Sequence, residues 1–293
     1  MSLEKVKGWS GDEIAGLIVA EIKGFVQTSP LNRIPTMDNG VIYDAPLVGF
    51  ADGDDPLFTE YRTVVDPSHL TPREALAKAH NKYPQDMPAR LSVISWVLPF
   101  ASHIREANRR HKQTPSRSWL NAYWYGEKFN RATRAHVAKL LTETGFLATA
   151  PVLQPFFKTM QYSDEKSYYS NWSERHVAYA AGLGTFSLSD GFITERGIAH
   201  RCGSAITDLA LPASPRTAKT PFSNCLFYVD GSCKACITRC PGGAITEKGH
   251  DKTRCREYMA TEFRKLIEDL TTGEESCGFC QTRIPCEFRN PTR

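Results

Sequence analysis

The sequence predicts an α+β chain in two parts, a mixed domain over residues 1–212 and a small cysteine-rich module over residues 213–293. Two observations predict it. Segments with helical apolar spacing alternate with short apolar runs rich in β-branched residues as far as about residue 210. Beyond that point, past a connection marked by Pro212, Pro215 and Pro221, lie eight of the nine cysteines, between Cys225 and Cys286. A length of 293 residues accommodates such a core domain plus a module.

The elements follow in order. Ser10 caps a helix from about Gly11, in which Ile14, Leu17, Ile18, Ile22 and Phe25 recur at helical spacing. Pro46–Ala51 reads as a short strand. Thr71 before Pro72 supplies a cap and a first-turn proline for a helix through Ala79. Leu91–Pro99 is an apolar run with Val93, Ile94 and Val97, so it reads as a strand buried on both faces. A long helix runs from Ser118 to Thr144 and stops at Gly145, a residue suited to the end of a helix. Phe146–Leu153 is a strand candidate, Asn171–Ala181 a helix ended by Gly182, and Gly203–Leu209 a strand. No internal repeat is visible.

Hydrophobic residues are 41% and charged residues 23% of the chain, which predicts a folded globular protein. The net charge of +4 is mild. The densest basic stretch, Arg105, Arg109, Arg110, His111 and Lys112, reads as a solvated helix face, with no block of the kind nucleic-acid binders carry. Met1–Lys7 lacks the order of a signal peptide. The best apolar runs, Ala15–Val19 and Leu91–Ala101, fall well short of the roughly 20 residues that span a bilayer. These readings predict a cytoplasmic protein with no membrane partner. Clustered cysteines in such a compartment are metal ligands or redox groups more often than disulfides.

The spacing of those cysteines is informative. Cys233-x2-Cys236-x3-Cys240-Pro241 is the core of a bacterial ferredoxin motif. A short turn places thiolates on one cubane, and the cysteine one helical turn further on, followed by proline, points to the other. Position 230, where the first cysteine usually stands, is Asp230, read as a turn residue before Gly231. Cys225 can fill that corner from a longer loop. The second set is Cys255, Cys277-x2-Cys280 and Cys286, the last one displaced past Ile284 and Pro285. The crossing logic assigns Cys225, Cys233, Cys236 and Cys286 to one 4Fe–4S cluster and Cys240, Cys255, Cys277 and Cys280 to a second. Four-cysteine zinc sites are the competing reading, and one cluster plus unused thiols is another. The Cys-x3-Cys-Pro element and the total of eight favour two clusters. Cys202, alone in the larger domain, reads as a buried inert thiol.

Two further segments carry a resemblance. Trp172-Ser-Glu-Arg-His-Val-Ala-Tyr-Ala-Ala-Gly-Leu-Gly184 followed by Gly203-Ser-Ala-Ile-Thr-Asp-Leu209 resembles a paired signature of the epoxyqueuosine reductase family, whose architecture corrinoid reductive dehalogenases share. The likeness covers about residues 90–290. It implies a nitroreductase-like corrinoid domain ahead of a ferredoxin-like module, with a base-off cobalamin fed single electrons by the two clusters. It implies cofactor contacts at Gly182, Gly184, Thr185, Thr207 and Asp208, the glycines letting backbone approach a flat macrocycle. Tyr168 stands where epoxyqueuosine reductases carry a catalytic aspartate. Dehalogenases use a tyrosine as proton donor, so Tyr168 or Tyr169 is the catalytic candidate. A phenol ordinarily titrates near pH 10, and a nearby cation would help it to give up its proton.

The sequence also departs from the family. It has no Asp-x-His-x-x-Gly to offer cobalt a histidine, and Asp66-Pro-Ser-His69 has another spacing. Thr185-Phe-Ser-Leu188 replaces the usual Trp-Ile-Gly-Lys. With the mild charge, these departures set the expectation that tRNA is an unlikely partner and that a small molecule is the substrate, with a ferredoxin or flavodoxin as electron donor. No dinucleotide or phosphate-loop glycine motif is present. His176, before the glycine turn, reads as a packed polar residue, and Tyr123, Trp124, Tyr125 and Phe129 as core. The sequence therefore predicts an iron–sulfur, cobalamin-dependent reductase. Its rivals are an electron carrier without corrinoid and a reductive activator of a partner's corrinoid.

Overall fold

The structure, a computed structural model, describes residues 9–161, 168–262 and 276–293. The expectation for Met1–Lys7 lies outside them. The described helices are α1 (Gly11–Thr28), α2 (Leu57–Val64), α3 (Pro72–Ala79), α4 (Ser102–Arg109), α5 (Arg117–Glu143), α6 (Glu174–Ala180), α7 (Leu226–Asp230), α8 (Ala235–Arg239) and α9 (Lys252–Glu262). The strands are β1 (Arg33–Ile34), β2 (Gly40–Val41), β3 (Leu47–Asp52), β4 (Ser92–Pro99), β5 (Ala148–Thr149), β6 (Thr159–Gln161), β7 (Tyr168–Ser170), β8 (Gly184–Phe186), β9 (Phe192–Thr194), β10 (His200–Thr207), β11 (Ile245–Thr246) and β12 (Gly249–His250).

A central sheet in the order β3-β4-β10-β5 carries the larger part. Its three pairings are all antiparallel, so the class is α+β. β4 is buried at all eight positions. Ile94, Trp96 and Leu98 join a core with α1 and α5, whereas Val93 joins one with α2, α3 and α6. Cover on both faces is why this strand reads as a continuous apolar run rather than an alternating one. The helix starts are local in origin. Ser10 with Glu13, and Thr71 with Glu74, each form a reciprocal capping box. The strand expected over Phe146–Leu153 shrinks to Ala148–Thr149, because Pro151 opens a short 3₁₀ turn. Asn171 lies outside α6, which begins at Glu174.

The two halves of the family-like signature meet in space. Trp172 Nε1 donates to Ser204 Oγ at 3.0 Å, and Ser204 Oγ donates to Glu174 Oε2 at 2.6 Å. Arg134 of α5, 3% exposed, completes the network through Glu174 and Glu127, 3.0 and 2.9 Å away. Burial pushes the Glu174 carboxyl up, and Arg134 offsets part of the cost of burying its charge. Glu174 is thus a strut tying α6 to β10 and α5. Among the described residues no helix is long and apolar enough to cross a membrane.

Candidate functional site

The cysteine-rich module is built of short elements that present thiols rather than a core of their own. Cys225 is the N-cap of α7 and Gly231 ends that helix with φ 73°. Asp230 accepts from the Ser232 backbone at 2.9 Å, so it shapes the turn. Cys236 lies in α8, and Cys240 caps its C-terminus. Cys277 and Cys280 bracket a tight turn at Gly278, φ 62°, where a Cβ would lie 2.0 Å from the Trp119 ring. Only glycine lets this loop seat against α5.

Two thiol groups result. Cys225, Cys233, Cys236 and Cys286 together line one small pocket, with Ser187, Ser189 and Ile193 of the β8–β9 hairpin on its wall. Burial, then Cys225, Cys236 and Cys233, push the Cys286 thiol far up. Burial, with Cys225 and Cys233, pushes Cys236 up to about 11. In the second group, burial and the neighbours Cys277 and Cys240 push Cys255 up to about 12. Cys280 is raised by burial and by Cys277, Cys255 and Cys240, with Cys236 the last of its neighbours. The neighbours of Cys236, Cys286, Cys255 and Cys280 thus fall in two groups, and Cys236–Cys280 is where the groups approach one another. Crowded, buried thiols hold their protons until a metal centre takes their charge.

Four thiolates on one zinc ion would converge to about 2.3 Å from a single point. Among the described residues no group of three or more His, Cys, Asp or Glu side chains converges in that way. The cysteines come together in two groups of four, the number of corners that each 4Fe–4S cluster presents. Backbone N–H groups are also in place, as Ala244 N donates to Cys240 Sγ at 3.3 Å. Such bonds tune cluster potentials.

Beside the first group lies a cavity of about 760 Å³. Its walls are Leu47 and Val48 of β3, the turn Gly182–Thr185, the segment from Arg216 to Asn224, Tyr228 and Val229, and Asn290, Thr292 and Arg293. Lys23, Arg216, Lys219 and Arg293 bring positive charge to its edge, against Glu195. The Asn224 backbone donates to Thr185 Oγ1 at 2.9 Å, and its side chain to the Ile193 carbonyl at 2.8 Å. Asn224 precedes Cys225, so one wall separates the cavity from the first thiol group.

The cofactor-binding residues expected from sequence divide. Gly182, Gly184 and Thr185 line the cavity. The glycines have a different reason than a flat macrocycle. A Cβ on Gly182 would lie 2.6 Å from the Pro215 carbonyl oxygen, and one on Gly184 2.3 Å from that of Ile193. Close backbone packing fixes both. Thr207 and Asp208 do not line the cavity. Thr207 Oγ1 accepts from Leu209 N at 3.1 Å, and Asp208 Oδ1 from Leu147 N at 2.9 Å. They hold the end of β10.

Tyr168 and Tyr169 lie on β7, outside the cavity lining and against α9. The guanidinium of Arg256 is 4.0 Å from the Tyr168 ring centroid and Lys252 Nζ 5.4 Å from that of Tyr169. His176 is packed, its Nδ1 2.8 Å from Ser173 Oγ, and burial lowers its pKa to about 3. His69 Nε2 accepts from Ser173 N at 3.1 Å. Among the described residues no histidine lines the cavity. Cys202 is buried and its thiol pushed up to about 12, as an inert thiol requires. Phe129 is core, but Tyr123 stacks on Arg201 and Trp124 on Lys128. Sequence reasoning missed Asn224, Tyr228, Asn290 and Thr292. They carry no motif and meet only through folding.

No protein-family profile matches the chain. Three curated relatives are epoxyqueuosine reductases. That of Aliivibrio fischeri is 25% identical over 217 residues, 67% of this chain and 48% of its own length. That of Vibrio cholerae is 26% identical over 191 residues, 61% and 42%. That of Salmonella typhimurium is 27% identical over 216 residues, 68% and 48%. The chain thus spans about half the length of the curated relatives it matches. Among solved structures, epoxyqueuosine reductase from Bacillus subtilis aligns with TM-score 0.51 and 17% identity over 95% of this chain and 66% of its own. A catabolic reductive dehalogenase aligns with TM-score 0.50 and 13% identity, over 93% and 36%. These findings support the resemblance read from Trp172–Gly184 and Gly203–Leu209. They also correct one expectation. An epoxyqueuosine reductase crystallised with an epoxyqueuosine-modified tRNA-Tyr stem loop shares the fold at TM-score 0.52 and 18% identity, over 95% of this chain and 66% of that one. Absence of the Trp-Ile-Gly-Lys element and a mild net charge do not set tRNA aside, since affinity for a stem loop depends on local charge.

Proposed function

Because the chain is epoxyqueuosine reductase-like in sequence and fold, we propose that it is an iron–sulfur reductase that holds two 4Fe–4S clusters and a base-off cobalamin. When bound, the clusters would supply single low-potential electrons and the corrin cobalt the reductant for the substrate. Cys225, Cys233, Cys236 and Cys286 would hold one cluster, and Cys240, Cys255, Cys277 and Cys280 the other. Residues 1–212 would form the corrinoid and substrate domain and residues 213–293 the two-cluster module.

The observation that carries the reading is the shared wall. Asn224 and Tyr228 face the cavity while Cys225, between them, faces the first thiol pocket. The cavity lining suits a corrinoid in three respects. Leu47, Val48 and Leu183 offer an apolar flank, Asn224 and Asn290 form a hydrogen-bonded polar wall, and Lys23 and Lys219 bring charge to the edge. Base-off binding, in which the cofactor's own dimethylbenzimidazole would leave cobalt, is carried over from the resemblance, and the described lining holds no histidine. Tyr168 or Tyr169 is our assignment for the proton donor on the resemblance alone, for both lie outside the cavity lining, with Arg256 and Lys252 over their rings. A substrate carried on tRNA stays in scope. The test is anaerobic purification, cobalamin reconstitution, and assay of iron, sulfide and cobalt on one sample. Cobalt bound in proportion to protein, with both thiol groups iron-loaded, is the expected result; iron without cobalt would favour the electron-carrier reading.

A further inference from the structure

We propose that the basic face made by the end of α4 and the loop after Cys280 docks an acidic one-electron carrier protein of the flavodoxin or ferredoxin type. The proposal rests on the two-cluster reading above and adds where the electrons enter. An open cleft on this face is lined by Arg109, Arg110, Arg283, Ile284, Pro285 and Glu287. Ile284 and Pro285 also line the pocket of Cys225, Cys233, Cys236 and Cys286. The floor of the cleft is therefore the single layer that covers the first thiol group, and Pro285 is exposed. Among the described residues, this is a place where a partner would come within one residue's thickness of those thiols.

The rim has the charge such a partner needs. Arg110, Arg283 and Arg289 are exposed. Phe288, 47% exposed, has the guanidinium carbons of Arg105, Arg109 and Arg289 at 5.6, 5.5 and 5.9 Å from its ring centroid. Three guanidiniums thus surround the Phe288 ring, and Arg110 and Arg283 line the cleft itself. Among the described residues two carboxylates oppose them. Glu287 is 1% exposed and already shared by Arg105 and Arg109, and Glu106 acts on Arg109 from the same helix. What reaches solvent is strongly positive although the whole chain is mild. Opposite charge steers encounter and orients the pair, and electron-transfer complexes are small and transient. One electron leaves the carrier and one enters this chain; no bond forms or breaks and no proton moves. A nucleic acid would also meet the charge, but it gains nothing from the thin cover over the thiols.

The test compares wild type with the double variant Arg110→Glu/Arg283→Glu, both prepared anaerobically with iron measured, and Lys139→Glu as a remote charge control. An acidic flavodoxin is the probe. Oxidised flavodoxin is titrated calorimetrically at low and high salt, a binding readout that needs no turnover. Stopped-flow then follows reduction by flavodoxin hydroquinone and by dithionite. We expect the double variant to lose at least tenfold in flavodoxin affinity and rate at low salt, the wild type to lose a similar factor at high salt, and the dithionite rate and Lys139→Glu to be unchanged. Unchanged flavodoxin affinity in a double variant with wild-type iron would overturn the docking. So would a double variant that loses binding of a tRNA stem loop while keeping flavodoxin. Absence of iron in the wild type would strike the two-cluster reading instead, and the affinity comparison would still decide the docking.

Discussion

Arg109 Nε lies 2.9 and 2.7 Å from the two carboxylate oxygens of Glu287, which is 1% exposed and 178 residues away in sequence. The pair does more than join the parts. The Arg283 backbone N–H donates to the same carboxylate at 2.6 Å, and Ile198 N donates to the Cys286 carbonyl at 2.8 Å. The loop that carries Cys286 is therefore anchored on both sides of its thiol.

Glu287→Ala should lower stability and loosen that loop. Breaking a buried ion pair from one side costs about 3–5 kcal/mol, and here about 2 kcal/mol is expected because the orphaned guanidiniums reach water. That corresponds to a Tm lower by very roughly 4–8 °C. Glu287→Gln, which keeps hydrogen bonds, should recover part of it. Scanning calorimetry with iron analysis checks this, and an unchanged Tm for Glu287→Ala would contradict the anchor.

Two cubanes require about eight iron and eight sulfide per chain after anaerobic preparation. A reproducible four iron, or two zinc, would rule that out. The thiol grouping predicts more. Cys240→Ser should damage the centre of Cys255, Cys277 and Cys280, because Cys240 is among the neighbours that raise Cys255 and Cys277, and Cys286→Ser should damage that of Cys225, Cys233 and Cys236, the neighbours that with burial raise Cys286. Electron paramagnetic resonance of the reduced variants separates the two. If Cys240→Ser and Cys236→Ser erase the same signal, the grouping is wrong.

What was legible in the sequence was local. Ser10, Thr71-Pro72 and Gly145 mark helix ends through neighbours within four residues, and the structure places helix boundaries beside each of them. The ferredoxin-like spacing is local too, and the cysteines it singles out stand as neighbours in the fold. Strand direction is not local, and nothing within Leu91–Pro99 says that β3 and β10 run antiparallel to it. Arg109 looked like one of several solvated charges, since its partner Glu287 comes from the far end of the chain. The cavity was half legible. Gly182–Thr185 marked one wall, but Asn224 and Asn290 reach it only once the chain has closed. Thr207 and Asp208, beside the same signature, bond the backbone at the end of β10 and do not reach the cavity.

Cobalamin should bind at the Gly182–Thr185 cavity and shift from its base-on to its base-off spectrum. Gly184→Trp is a poor probe, because any Cβ there would meet the Ile193 carbonyl. Ala218→Trp is better, since Ala218 lines the cavity without such a contact. The wild type should show a saturable spectral change and Ala218→Trp at least a tenfold weaker one with unchanged iron. A variant that titrates like wild type would move the corrinoid elsewhere.

Stability should fall on mild acidification, driven by histidines buried in the neutral state. Burial lowers His69 to about 4, His176 to about 3 and His200 to about 4. His200 shows why. One ring nitrogen lies 2.6 Å from the Phe192 carbonyl and the other 3.6 Å from the Cys202 sulfur, so neither faces a carboxylate that would hold an imidazolium. The sign follows from proton binding. The unfolded chain takes up protons near pH 6.5, whereas the folded chain refuses them until about pH 4, so the unfolded state binds more protons between those values. Stability is full above about pH 6.5 and is lost as the pH falls toward 4. Each group contributes up to about 1.4 kcal/mol per pH unit across that window. His176→Gln should therefore flatten the dependence of the urea midpoint on pH between 6.5 and 5, while wild type steepens toward acid. Iron is monitored in parallel, and only the range in which it stays bound is compared. A His176→Gln slope equal to that of wild type would show that His176 is not a buried neutral base.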